Sequence, residues 1–340
     1  MEIIKDLIKN KLHLNLFRSF VLFTITFAVV FSIIIINSDF TAARSPFAGG
    51  EGTAESPYLI EDANQLDSIR DYLDAHFRLT RDIDLTGFGG DAGWKPLGSE
   101  ESPFTGVFDG QHYSIKNLYI DKPETDKVGF FGHIGEGAAV EDLKIESAEI
   151  VGREFVGALA GVNWGDRSLI SRCGVEAEIT ANNYSGGLVG SNTGVIEKSY
   201  AKIDIDGIEH IGGAVGQNFA ARIENNYAAG KVEGFRYVGG LLGENYRQGE
   251  VINSYSAVDI DADVGYGGLV GSGNADPTNY FAREKSGCDD EEGYRGTPAD
   301  IDELLVRDTY EGWDFEEIWD IKEGESYPYF NWQEKYIPAP

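Results

Sequence analysis

The polar and apolar positions of this chain repeat as a phrase. Ser185 to Ile205 reads SGGLVGSNTGVIEKSYAKIDI: a diglycine, two apolar residues, a glycine, an asparagine, an apolar start, a tyrosine and an alternating run. Laid on its second landmark glycine, the phrase recurs at Gly132, Gly161, Gly190, Gly216, Gly243 and Gly271, a spacing of roughly 26 to 29 residues that marks a solenoid, propeller or array. Ile203-Asp204-Ile205-Asp206 and Val258 to Asp263 alternate with period two, as half-buried strands do, and helical spacing is missing. The spacing is too short for a four-stranded propeller blade but suits one turn of a β-helix, with two or three short strands and tight corners. The expected fold is therefore all-β, a right-handed parallel β-helix. Its diglycines are expected at corners, where they allow positive φ and close approach of the next coil.

If coils stack in register, equivalent positions form columns. Leu188, Ala214, Leu241 and Leu269 make an interior one, and each buried leucine contributes about 1.5 to 3 kcal/mol. An asparagine follows five of the landmark glycines, at Asn163, Asn192, Asn218, Asn245 and Asn274. Asn192, Asn218, Asn245 and Asn274 are candidates for an amide ladder or for solvent-facing turn residues. Tyr200, Tyr227 and Tyr255 form a third column, either inside or on an outer face where rings could stack on sugars; Tyr280 is its expected last member.

The flanks differ. Residues 1–43 hold Lys5, Lys9, Lys11 and Arg18, then an apolar run from Phe20 to Ile36 and the small residues Thr41-Ala42-Ala43, the pattern of a cleaved signal peptide or an N-terminal membrane anchor helix. Residues 49–125 are read as a start cap and first coils: a strand at Tyr58 to Ile60, a helix of about twelve residues presenting Leu66, Ile69 and Leu73, a strand over Phe77 to Leu85, and two strands around Asp109-Gly110. Residues 126–287 carry the repeats. Residues 288–340 are the end cap, with an acidic loop at Asp289 to Glu292, a helix from Thr297 to about Thr309, and a dense aromatic run from Trp313 to Trp332 expected as a lid over the last coil.

Charge narrows the partners. Against 28 basic residues stand 57 acidic ones, a net charge of −29 that disfavours nucleic acid and anionic lipid. Contact with a membrane is expected only through the N-terminal segment. Stacked outward carboxylates could attract calcium, although no EF-hand or glycine-rich nonapeptide loop spacing is present. The two cysteines, Cys173 and Cys288, stand about four repeats apart, too far for a disulfide between coils that advance about 4.8 Å each. No H-E-x-x-H, G-x-S-x-G or Walker spacing occurs, and no carboxylate pair stands out, so no catalytic or cofactor-binding residue is nominated.

The ordered set GTAESPYLI, DIDL, WKPLG, PFTGVFDGQHYSIKNLYI and VGFFG, followed by GGLVGSNTGVIEKSYA and GGLLGENYRQGEVINSYSA, resembles the secreted proteins that carry GLUG repeats, over roughly residues 49 to 333. That resemblance implies an extracytoplasmic β-helix of the kind found in surface proteins and adhesins, and as an accessory region of some immunoglobulin-cleaving metallopeptidases; it does not imply catalysis. The first two copies depart from it, with Gly174 at the tyrosine position and His133-Ile134 at the asparagine step. Three roles stand open: a noncatalytic cell-surface protein presenting a repetitive face to a glycan or protein, a polysaccharide lyase or glycoside hydrolase on the same scaffold, and a surface-layer or filament subunit.

Overall fold

The computed structural model describes residues 1–38, 45–288, 295–333 and 338. The small-residue site Thr41-Ala42-Ala43 and the acidic loop Asp289 to Glu292 lie outside the described residues, as do most side chains of the apolar run from Phe20. Met1–Pro46 and Phe47–Pro340 are separate compact units. The first is an α-helix over Glu2–Ser38. Among the described residues, no helix is long and apolar enough to cross a membrane.

The second unit is a parallel β-solenoid of about seven turns. Its strands fall into three long sheets of eight, thirteen and six members among the described residues, each strand pairing with its counterpart one coil away. In the tyrosine sheet, Gly174–Thr180, Tyr200–Asp206, Tyr227–Gly239 and Tyr255–Gly267 run side by side, with Tyr200, Tyr227 and Tyr255 in register. In the isoleucine sheet, Val140, Ile170, Ile196, Ile223 and Val251 align. The asparagine sheet stacks Ala160–Asn163, Val189–Asn192, Val215–Phe219 and Leu242–Tyr246.

Alternation dictates what fills the bore. Along Tyr200–Asp206, Ala201, Ile203 and Ile205 are buried in the main core, while Asp204 and Asp206 on the opposite face are exposed. Leu188, Ala214, Leu241 and Leu269 are at most 1% exposed, and the amides of the first three each donate to the next member's carbonyl at 2.9 Å. The diglycines serve close approach only: a Cβ on Gly213 would lie 2.1 Å from the Gly240 carbonyl oxygen, and none of the pairs between Gly186 and Gly268 has positive φ. The left-handed backbone falls instead on side-chain-bearing corner residues.

Several local expectations change. The N-terminal helix is shorter than twelve residues: Ala63–Ser68, N-capped by Asp62, tightens into a 3-10 turn over Ile69–Asp71, yet still buries Leu66 and Ile69. The stretch Phe77 to Leu85 breaks into His76–Leu79 and Ile83–Asp84, and Asp109-Gly110 is not a hairpin turn, because Val107–Asp109 and Ser114–Lys116 join different sheets. A solenoid corner sends consecutive strands to different faces, whereas a hairpin returns them to one. Thr297–Ala299 is a strand added to the tyrosine sheet, and the following helix is only Ile301–Leu304, closed by a capping box between Asp300 and Glu303. Neither cysteine is in a disulfide, and Cys173 is fully buried.

Candidate functional site

The asparagine columns lie inside the coil. Asn163 Nδ2 donates to Asn192 Oδ1 at 2.8 Å, Asn192 Nδ2 to Asn218 Oδ1 at 2.9 Å, and Asn218 Nδ2 to Asn245 Oδ1 at 3.0 Å; all four residues are buried. Three of the amides also serve their own corners: Asn192 with Gly194, Asn218 with the Ala221 carbonyl and Asn245 with the Gly249 carbonyl. Asn274 does not belong to the ladder. Its side chain is exposed and only its backbone carbonyl accepts from Asn245 Nδ2, because the last coil is irregular after Ser272 and the strand there ends. Asn163 takes the place at the other end. A second set precedes the tyrosines: Asn226 and Asn279 accept from the amides of Ser199 and Ser254 one coil before, a pattern readable from the Ser or Asn that stands before each tyrosine.

The tyrosine column faces out of the bore but not into solvent. Tyr200, Tyr227 and Tyr255 share the outward face with Asp204, and stack on one another at 5.2 and 5.0 Å. The C-terminal aromatics are not confined to a lid over the last coil. They run back along the flank: Trp313 reaches Tyr280 and Tyr255, Trp319 and Phe330 cover Tyr227, and Trp332 meets Tyr200 and then His112 near the start of the solenoid. Tyr255 OH donates to the Pro328 carbonyl, and Gln333 Nε2 to Tyr227 OH, each at 2.6 Å. A row of large rings is too apolar to leave wet, and the tail supplies matching rings. Burial pushes the Tyr227 and Tyr255 phenols well above their ordinary range. These tyrosines therefore form a structural seam.

A second set of rings, exposed or half-buried, lies on the asparagine sheet and its corner. Two corners of each coil adopt left-handed backbone. At one stand Asp142, Arg172, Lys198, Asn225 and Asn253; at the other stand Lys127, Phe155, Tyr184, His210 and Tyr237, with φ of 54 to 60°. Such backbone costs roughly 1 to 2 kcal/mol for a residue with a Cβ. The second corner nonetheless places rings there, stacked at 4.9, 4.6 and 4.8 Å from Phe155 through Tyr184 and His210 to Tyr237. Coil spacing and ring-stacking distance nearly coincide, so the stack offsets the strain by about 0.5 to 1.5 kcal/mol per pair. In sequence these rings sit six residues before each landmark glycine. That signal was available, but it is masked because the occupants change type.

Beside this stack, the residues that follow the ladder asparagines point outward: Trp164, Thr193, Phe219 and Tyr246. Trp164 is 57% exposed, and Arg247 lies over the rings of Phe219 and Tyr246. Between the two rows runs a groove of about 820 Å³, lined by Phe155, Trp164 and Phe219 with His133, Ser191, Thr193 and Gln217. Its charges are paired: Lys127 bonds Glu100, and Arg167 bonds Glu136 at 2.5 Å. Those hydrogen bonds hold both glutamates below their ordinary range. His133 is buried with its Nδ1 lacking a protein partner, and burial, then Lys127, lowers its pKa. Burial likewise lowers that of His210, against the pull of Glu244 at 3.6 Å. Among the described residues, no group of three or more His, Cys, Asp and Glu is arranged to hold a metal ion.

Comparison with known proteins matches residues 181–206 to the GLUG motif. A protein of Evansella cellulosilytica provisionally named a Gly-rich membrane protein is 41% identical over 154 residues, 42% of this chain and 18% of its own length. Halomucin of Haloquadratum walsbyi is 31% identical over 179 residues, 49% of this chain and 2% of its length. The chain thus spans less than a fifth of either relative. A crystal structure from Bacteroides ovatus, provisionally assigned as an immunoglobulin A1 protease, superposes with a TM-score of 0.68 at 22% identity, covering 86% of this chain and all of that one. At that identity the likeness is one of fold.

Proposed function

We propose that this chain, a parallel β-solenoid that carries the GLUG motif at residues 181–206, is a noncatalytic protein of the cell exterior whose asparagine-sheet groove holds a surface partner. The observation that carries the reading is the groove itself: exposed Trp164 and half-buried Phe155 and Phe219 line it, while the tyrosine column is sealed beneath the tail. An exterior location is supported by the basic-then-apolar N-terminal segment and by the relatives, one named a Gly-rich membrane protein and the other halomucin. The noncatalytic part rests on the groove carboxylates. A general acid must be protonated at working pH, and Glu100 and Glu136 are held ionised by Lys127 and Arg167.

Protease treatment of intact cells producing the full chain tests the location: cleavage without lysis is expected, and protection until lysis overturns it. Incubation of the purified chain with neutral and uronate polysaccharides, followed by reducing-end and unsaturated-product assays, tests the chemistry. Saturable product release would overturn the noncatalytic reading.

A further inference from the structure

We propose that the groove between Trp164, Phe155 and Phe219 is a binding track for a neutral oligosaccharide with flat, equatorially substituted pyranose rings, aligned along the solenoid axis. The inference rests on the groove being the partner-holding face, and adds the class of ligand. A pyranose of this kind has an apolar C–H face and a hydroxyl rim, so it needs rings beneath and hydrogen-bonding groups beside them. The groove supplies both: Trp164 is exposed to 57%, and Gln217, Ser191 and Thr193 line the wall. His133 lies in the same lining, 7% exposed, and its Nδ1 lacks a protein partner.

Charge selects the neutral class. Lys127 and Glu100 neutralise one another, as do Arg167 and Glu136, so the groove offers no spare counter-charge to a uronate or sulfate. The net charge of −29 repels polyanions further. A peptide strand would need an open sheet edge, and the asparagine sheet is paired on both sides through its middle, from Ala160–Asn163 to Leu242–Tyr246. Repetition gives the track its direction, since equivalent wall positions recur at each coil: Val162, Ser191, Gln217 and Glu244 lie in register.

The test titrates the purified full chain with cellohexaose, chitohexaose and hexagalacturonate at fixed ionic strength, by calorimetry and by tryptophan fluorescence. Trp94, Trp313 and Trp319 are buried and Trp332 is half-buried against Tyr200 and Phe330, so a fluorescence change that is absent in Trp164→Ala reports on Trp164. Saturable binding of at least one neutral hexamer is expected, weakened about tenfold by Trp164→Ala and again by Phe219→Ala. Thermal midpoints of these variants check that folding is kept. Binding of hexagalacturonate in preference, lost in Trp164→Ala, would overturn the neutral-sugar assignment while leaving the groove as the binding face. No binding of either neutral hexamer at millimolar concentration, or neutral binding indifferent to both substitutions, would also overturn it. The cell-surface reading would be untouched, because surface proteolysis decides that separately.

Discussion

Replacing Asn218 by alanine probes the interior ladder where it is most committed. The side chain is fully buried, accepts from Asn192 Nδ2, and donates to Asn245 Oδ1 and to the Ala221 carbonyl. After truncation, Asn192 Nδ2 still reaches the Gly194 carbonyl at 3.1 Å, but Asn245 Oδ1 loses its inter-coil donor. A buried acceptor left unpaired costs about 1 to 3 kcal/mol, and each lost bond about 0.5 to 1.5 net, so Asn218→Ala is expected to destabilise by about 3 kcal/mol. Asn163→Ala is the control. It breaks one inter-coil bond, its partner Asn192 Oδ1 keeps the Gly194 amide at 3.2 Å, and its own Oδ1 is already without a partner. Its expected cost is about 1 kcal/mol or less. Urea unfolding followed by fluorescence and circular dichroism measures both, with coincident transitions licensing the comparison. A double-mutant cycle of Asn192→Ala with Asn218→Ala should show a coupling of about 1 kcal/mol. Equal costs at the two positions with no coupling would refute the ladder as a cooperative element.

Three further outcomes follow from the same contacts. Tyr227→Ala removes a ring stacked on both faces and packed by Phe330, and should cost about 3 to 5 kcal/mol; it should speed tryptic cleavage after Lys322 by loosening the tail, whereas Tyr227→Phe should leave that cleavage near wild type. Burial holds His133 and His210 below the ordinary 6.5, so the unfolded chain binds more protons below that pH and stability falls as pH drops through 6.5 toward the folded values. Thermal midpoints between pH 7.5 and 5.5 should decline, and less steeply in His133→Gln; an unchanged slope would count against burial as the cause. The Cys173 thiol is fully buried with its pKa pushed up to about 12, so it should resist maleimide at neutral pH in the native protein and react on unfolding; rapid native labelling by mass spectrometry would contradict its placement.

The fold was legible because every coil must satisfy the same stacking geometry, and a repeated requirement leaves a repeated residue. The landmark glycines mark where a Cβ would strike the corner backbone of the preceding coil, and alternation in Ile203 to Asp206 marks which face is wet. The candidate groove was far less legible. Its rings come from two rows with different offsets from the landmark glycine, and the corner occupant varies through Lys127, Phe155, Tyr184 and His210 while the backbone demand stays constant. A requirement on backbone conformation does not name a side chain.

Sequence alone settled the winding: period, strand character and the inward leucine column follow from local spacing, since each coil contacts mainly its neighbours. The tertiary structure turned the asparagine amides inward, a choice open in the sequence because a turn asparagine facing water has the same spacing. Only the tertiary structure decided which aromatic row is exposed. Tyr200, Tyr227 and Tyr255 point outward by alternation, as a binding stripe would, and they are covered because a tail some 70 to 130 residues later in the chain (Pro328 meets Tyr255 across 73, Gln333 reaches Tyr227 across 106) folds back onto them. Contacts of that sequence separation have no periodic signature, so solvent exposure on the outer face could be read only once the chain was folded.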